Sequence, residues 1–326
     1  SSAENFALGG VKVLNELGNI DYLVFGTEEE NILDLEKIAE ILVNENDEFK
    51  KAIKQELNKG ISHPKARELA LQKVLSSENV KNILQKPNNI LAIEYLKAIK
   101  NTNSKIKPFA IKRQKSMHND KKITEEFTSG SHIRKLFTEN KLNEIKAVVP
   151  KYSYEKLLEL RERGEYITSI NEFSDIIIYK IRMMTNQEIS KIADINEGLE
   201  NNIKEAADTS TTAEEIINKV SSKRYTKTRI SRILTYILLD ITKEDMEQSK
   251  KEMPYIRVLG INKKYETILR NINNNKLIIS LKKFEDNNGQ NDILNIDKKA
   301  TEIYTIKYKQ STKAKLDYKS KFIIKI

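Results

Sequence analysis

Cysteine is absent from the chain. Its absence excludes a disulfide framework, a thiolate metal site and a cysteine nucleophile. Histidine is scarce, and His63, His118 and His132 stand too far apart to suggest a histidine-based metal centre. No apolar run approaches the roughly 20 residues that span a bilayer. Ser1-Ser2-Ala3-Glu4 has neither the basic stretch nor the apolar core of an export signal. These absences lead to the expectation of a soluble, cytoplasmic protein. Neither a G-x-G-x-x-G nor a Walker loop occurs, so the usual glycine-rich phosphate cradles are excluded. Charge is abundant by contrast. Lys and Arg number 57 against 47 Asp and Glu, for a net charge of +10. That balance suits a polyanionic partner, although richness in Lys and Asn equally reflects genome composition.

A length of 326 residues is enough for two domains. The opening "SSAENFALGGVKVLNEL" reads as a helix with apolar Phe6, Val11, Val13, Leu14 and Leu17, and Ser2 or Asn5 as cap. A pattern already running at the first residues reads as a fragment of a longer domain. "DYLVFGTEEE" then contains an unbroken apolar run closed by Gly26, as in a buried parallel strand. Helical patterns follow, with Gly60 stopping one and Ser62-x-Pro64 starting the next. "KPNNILAIEYLKAIK" is a helix behind a Pro87-Asn88-Asn89 turn or cap, and "KPFAIKR" is a second short strand. Strands separated by helices imply parallel pairing. Beyond about 150 the pattern is nearly all helical. "KLIISLKK" (276–283) and "TEIYTIKYK" (301–309) look mixed or strand-like, and the polar stretch 285–292 reads as mobile coil.

In open parallel sheets, ligands collect beyond the carboxyl ends of the strands. Gly26 ends the first strand, where a missing side chain admits a flat base or ribose. Arg113 ends the second and is permanently charged. In "FTSGSHIRKLF", Ser129-Gly130-Ser131 opens a helix whose free N–H groups and dipole favour an anion, with Ser131 as cap and Arg134 pointing back to that end. Taken alone, the turn reads first as a capped helix with a solvated Arg, and second as an anion site. Asn88 and Asn89 read as an N-cap, which needs one Asn and leaves the other carboxamide free for a base or ribose edge. In "SSKRYTKTRISRILTYILL", Lys223, Arg224, Lys227, Arg229 and Arg232 have no acid among them, and Tyr225 and Tyr236 offer rings for stacking. We read that stretch as an RNA backbone contact rather than a merely solvated face. Asp194, Glu197, Glu200 and Glu205 fit a solvated helix face better than paired acid–base catalysts.

Taken in order, "SAENFALGGVKVLNEL", "VFGTE", "KPNNILAIEYLKAIK", "IKR", "SGSHIRK", "INEGLENNIKEAA", "KRYTKTRISRILTYILL" and "YIRVLGIN" resemble the bacterial tRNA(Met) cytidine acetate ligase family of nucleotidyltransferase-like proteins. The resemblance implies activation of acetate with ATP as acetyl-adenylate, then transfer to N4 of the wobble cytidine of elongator tRNA(Met). It places ATP contacts at Gly26, Asn88, Arg113, Ser129, Ser131 and Arg134, and tRNA contacts at Lys223, Arg224, Lys227, Arg229 and Arg232. ATP chemistry further implies Mg2+, although no acidic metal site is visible. The implied fold is α/β: a partial Rossmann-like nucleotidyltransferase domain over 1–150, followed by a mainly helical tRNA-binding domain over 151–326.

Two departures stand out. Such enzymes begin with a strand and a histidine–glycine–histidine phosphate loop, and the chain contains no such sequence. After Arg113 the family tends to have Ile-Gly and then Tyr-His-Asp, where this chain reads "QKSMHND". That keeps Asp120 and leaves His118 without an assigned role. The expectation is an N-terminally shortened copy that is not catalytically competent alone. Two alternatives remain. A cofactor adenylyltransferase does not need so large a basic helical part, and a non-catalytic RNA-binding protein fits the absent loop.

Overall fold

The computed structural model describes residues 2–29, 31–113, 128–196, 198–222, 224–251, 255–270, 272, 274–289, 291–309, 314–320 and 322–325. His118, Asp120, Glu197 and Lys223 lie outside the described residues. Among the described residues no helix is long and apolar enough to cross a membrane. The chain divides into two compact units, 1–120 and 121–326, so residues 121–150 group with the later unit.

In the first unit, α1 (Ala3–Leu17) is capped by Ser2, whose hydroxyl accepts from the Asn5 N–H, and ends at Gly18 with φ 77°. Strand β1 (Tyr22–Thr27) follows, then helices α2 (Leu33–Asn44), α3 (Asp47–Leu57), α4 (His63–Leu75), α5 (Asn79–Leu84) and α6 (Pro87–Asn101), and strand β2 (Lys107–Lys112). The helical crossover leaves β1 and β2 parallel, with Val24 opposite Phe109 and Gly26 opposite Ile111. Phe25 points into a core of Leu35, Ile38, Phe49, Leu71, Ile83 and Ile93. The opposite sheet face differs from the expected fully buried strand. Tyr22, Val24, Phe109 and Ile111 are each more than half exposed. Apolar content alone cannot separate a one-faced strand from a two-faced one, because both are rich in Val, Ile and Phe.

The second unit starts with α7 (Gly130–Thr138), α8 (Leu142–Val148) and α9 (Lys151–Glu162) around Leu136, Phe137 and Ile145. A larger core unites α10 (Ser174–Met183), α11 (Asn186–Lys191), α12 (Leu199–Asp208), α13 (Ala213–Val220) and α14 (Lys227–Leu239). Ile177, Ile203, Ile216 and Ile233 are fully buried there, as amphipathic helices with three or four apolar residues per two turns require. Beyond α15 (Lys243–Lys251) come β3 (Ile256–Arg257), β4 (Gly260–Asn262), α16 (Thr267–Arg270), β5 (Leu277–Ile278), α17 (Leu281–Asn288), α18 (Asp292–Ile306), α19 (Leu316–Lys319) and β6 (Ile323–Lys325). Strands β3 with β5, and β4 with β6, form short parallel pairs.

Two expectations fail in this last stretch. Residues 301–306 continue α18 instead of forming a strand. Asn291 caps that helix by accepting from the Leu294 N–H at 2.9 Å, and the turns it starts carry the β-branched tail along. Within 285–292, residues 285–288 close α17 rather than lying in coil, and Gly289 with φ 74° ends the helix.

Candidate functional site

In the first unit, Gly26 and Arg113 come together. The ladder continues past β2, with the Arg113 N–H donating to the Thr27 carbonyl at 2.8 Å. A Cβ on Gly26 would stand 3.3 Å from Arg113 Cγ and 3.7 Å from Cδ. A side chain there would press on the arginine stem by a few tenths of an ångström, and that stem fills the space expected to admit a base. Among the described residues the guanidinium has no acidic partner.

Asn88 and Asn89 do not cap α6. Lys86 occupies the N-cap, and no side chain bonds the helix from that position. The stabilising anion comes from elsewhere: Glu28 Oε2 accepts from the Asn89 N–H at 3.2 Å, and Glu28 Oε1 accepts from Asn88 Nδ2 at 2.5 Å. In return, Asn89 Oδ1 accepts from the Glu28 N–H at 2.9 Å. Glu29 Oε1 accepts from Asn89 Nδ2 at 3.2 Å and from Lys86 Nζ at 2.7 Å. Pro87 presets the first helical turn, and the Glu28 carboxylate meets the positive end of the helix dipole. The carboxamide expected to be free is thus engaged with the loop after β1.

In the second unit the Ser-Gly-Ser turn is an N-terminus as expected, but with a different cap. Ser129, which is buried, accepts from the His132 N–H at 3.2 Å, and its hydroxyl lies 3.0 Å from that of Ser131. Ser131 is exposed and not the cap. Arg134 does fold back: its Nη1 is 3.6 Å from where a Cβ on Gly130 would stand. The exposed Ser131 hydroxyl, the Arg134 guanidinium and the first-turn N–H groups therefore converge, a donor set suited to an anion. Two polar atoms flanking the turn, Thr128 Oγ1 and His132 Nε2, are buried without a hydrogen-bond partner among the described residues. Sequence reasoning set His132 aside with the other scattered histidines. Its place directly after Ser-Gly-Ser was the available signal.

The basic stretch does not form one surface. Arg229 Nη2 donates to the Asp194 carbonyl at 2.8 Å, and Arg232 Nε donates to Asp194 Oδ2 at 2.6 Å. Asp194 sits in the left-handed region with φ 65°. Tyr225 and Tyr236 are buried, so neither ring is presented for stacking with a base. Arg224 and Arg229 lie 5.4 and 5.1 Å from the Tyr225 ring centre, a cation–π arrangement that packs the helix start. Arg224 and Lys227 are exposed and remain open to a polyanion. Asp194 is accordingly an anchor for two arginines rather than part of a solvated helix face. Burial and the Asp194 charge push the Tyr236 hydroxyl up from its usual range, and that oxygen has no partner among the described residues. Among the described residues no group of three His, Asp or Glu side chains could hold a metal ion.

Comparison with known proteins gives these groups a context. A family model described as HIGH Nucleotidyl Transferase matches residues 1–319. The tRNA(Met) cytidine acetate ligase of Thermoanaerobacter sp. (strain X514) is 41% identical over 98% of this chain and 79% of its own length. The protein of the same name from Clostridium perfringens (strain ATCC 13124) is 36% identical over 98% of this chain and 79% of its own. Among solved structures, apo Thermotoga maritima TmcAL superposes with a TM-score of 0.92 at 27% identity, covering all of this chain and 82% of that one. The same protein bound with alpha-thio ATP superposes with a TM-score of 0.89, over 99% of this chain and 81% of that one. This chain belongs to the tRNA(Met) cytidine acetate ligase family of HIGH nucleotidyltransferases.

Proposed function

We propose that the protein activates acetate with ATP and transfers the acetyl group to N4 of the wobble cytidine of elongator tRNA(Met). An acetate oxygen attacks the α-phosphorus and pyrophosphate leaves. The cytidine amine then attacks the acetyl carbonyl carbon and AMP leaves. The observation that supports this reading is a likeness extending over 98% of the chain to a protein named tRNA(Met) cytidine acetate ligase. Gly26, Asn88 and Arg113 in the first unit are proposed as ATP contacts. Asn88, held by Glu28, orients that loop. Ser129, Ser131 and Arg134 in the second unit are proposed as phosphate contacts, groups of the kind that stabilise negative charge. Magnesium would accompany ATP on its phosphate oxygens.

Binding of a non-hydrolysable acetyl-adenylate mimic, the acetylsulfamoyl adenosine, separates this reading from its rivals without requiring turnover. A ligase holds the mimic more tightly than ATP, as an intermediate analogue should be held. A cofactor adenylyltransferase shows no preference for it, and a non-catalytic RNA-binding protein binds neither compound.

A further inference from the structure

Nearly all of the net positive charge lies in one part of the chain. Residues 255–326 contain 16 Lys and Arg against 7 Asp and Glu, while residues 1–254 contain 41 against 40. Some of the late cations are structural: Arg257 pairs with Asp317 at 2.7 Å, Lys298 with Glu285 at 2.5 Å, and Lys307 with Asp175 at 2.8 Å. Lys263, Lys264, Lys282 and Lys283 are exposed and have no acidic partner among the described residues. Exposed lysines without acidic partners are the side chains that a polyanion recruits.

Beside Lys283, β5 and α17 frame an open cleft of about 610 Å3. Its lining includes the polar Asn275, Ser280, Lys283 and Asn287, and the apolar Ile279 and Phe284. Ile279 is 44% exposed, a hydrophobic surface presented to solvent. Asn288 Nδ2 is committed to the Phe284 carbonyl at 3.0 Å, whereas Asn275 and Asn287 are exposed. Carboxamides for a base edge, an apolar wall for its face and a lysine for its phosphate are the chemistry by which unpaired nucleotides are held. We propose that this cleft takes one unpaired nucleotide of an RNA, with Lys282 and Lys283 on its flanking phosphates. The inference rests on the tRNA reading above, and it assigns the RNA contact to residues 255–326 rather than to Arg229 and Arg232.

The test is binding of elongator tRNA(Met) transcript to the full chain across a salt titration. The Lys282→Ala/Lys283→Ala double variant should bind about tenfold more weakly and lower the salt slope by up to about two. Asn275→Ala/Asn287→Ala should weaken binding with the slope unchanged. Circular dichroism melts identical to wild type would verify that both variants fold. Wild-type affinity and slope in the lysine variant would overturn the inference while leaving the ligase reading intact. Failure of the unaltered chain to bind tRNA(Met) would overturn both. Lysine-dependent binding to phosphatidylserine vesicles but not to tRNA would replace the RNA with a membrane surface.

Discussion

Asn89 is completely buried, yet both polar atoms of its carboxamide are bonded. Asn89→Ala would leave the Glu28 N–H and the Ile83 carbonyl without that partner. Unsatisfied buried groups cost about 1–3 kcal/mol, so the variant should unfold in urea at a stability lower by about 2–3 kcal/mol. A loss within error of zero would show that the clamp is redundant. Arg232 poses the opposite question, because a sequence reading assigns it to RNA and the structure assigns it to Asp194. Arg232→Ala should lower stability by about 1 kcal/mol, the scale of a partly exposed pair, with the salt dependence of tRNA binding unchanged. A reduced salt slope would return the residue to the interface. Neither contact was legible in the sequence, for one reason. Asn89 and Glu28 are 61 residues apart, and Asp194 and Arg232 are 38 apart. The composition of either stretch gives no sign of its partner. Ser2 and the Ser62-Pro64 start were legible because those signals act within a few residues of themselves.

At the scale of elements, cations seal the ends of helices in the second unit. Lys204 Nζ donates to the carbonyls of Ile181 and Arg182 at 2.8 Å and of Met184 at 2.5 Å, closing α10. Arg182 in turn donates to the carbonyls of Ala207 and Asp208, closing α12. These are the groups a helix leaves unpaired at its C-terminus, and the cations also oppose the dipole. Asp240, the C-cap of α14, ties that helix to Lys180 of α10 and Lys299 of α18. Burial alone would raise its carboxyl, but the two lysines outweigh burial and hold it below the ordinary value. A depressed carboxyl contributes stability above its unfolded value, near 3.8, and loses it as pH falls through the folded one. Melting temperature should therefore fall on acidification below about pH 4, and Asp240→Asn should flatten that limb. An acid limb identical in the variant would exclude Asp240 as a contributor. The helix pattern itself was legible from the 3.6-residue spacing, whereas the strand-like look of 301–309 misled, because β-branched residues also serve the end of a helix capped at Asn291.

On the scale of the whole molecule, the parallel pairing of β1 and β2 and the helical second unit were foreseeable from segment order. The concentration of charge in residues 255–326 could also be counted from the sequence, but the cleft beside it needed the fold. Family membership and the two groups of donors converge on one central claim, that this chain binds ATP. Calorimetric titration of ATP into the protein tests it most directly. A saturable site is expected, weakened about tenfold or more in Arg113→Ala and in Arg134→Ala, as loss of a charge-assisted contact to phosphate implies. No binding, or binding indifferent to both arginines, would contradict the account.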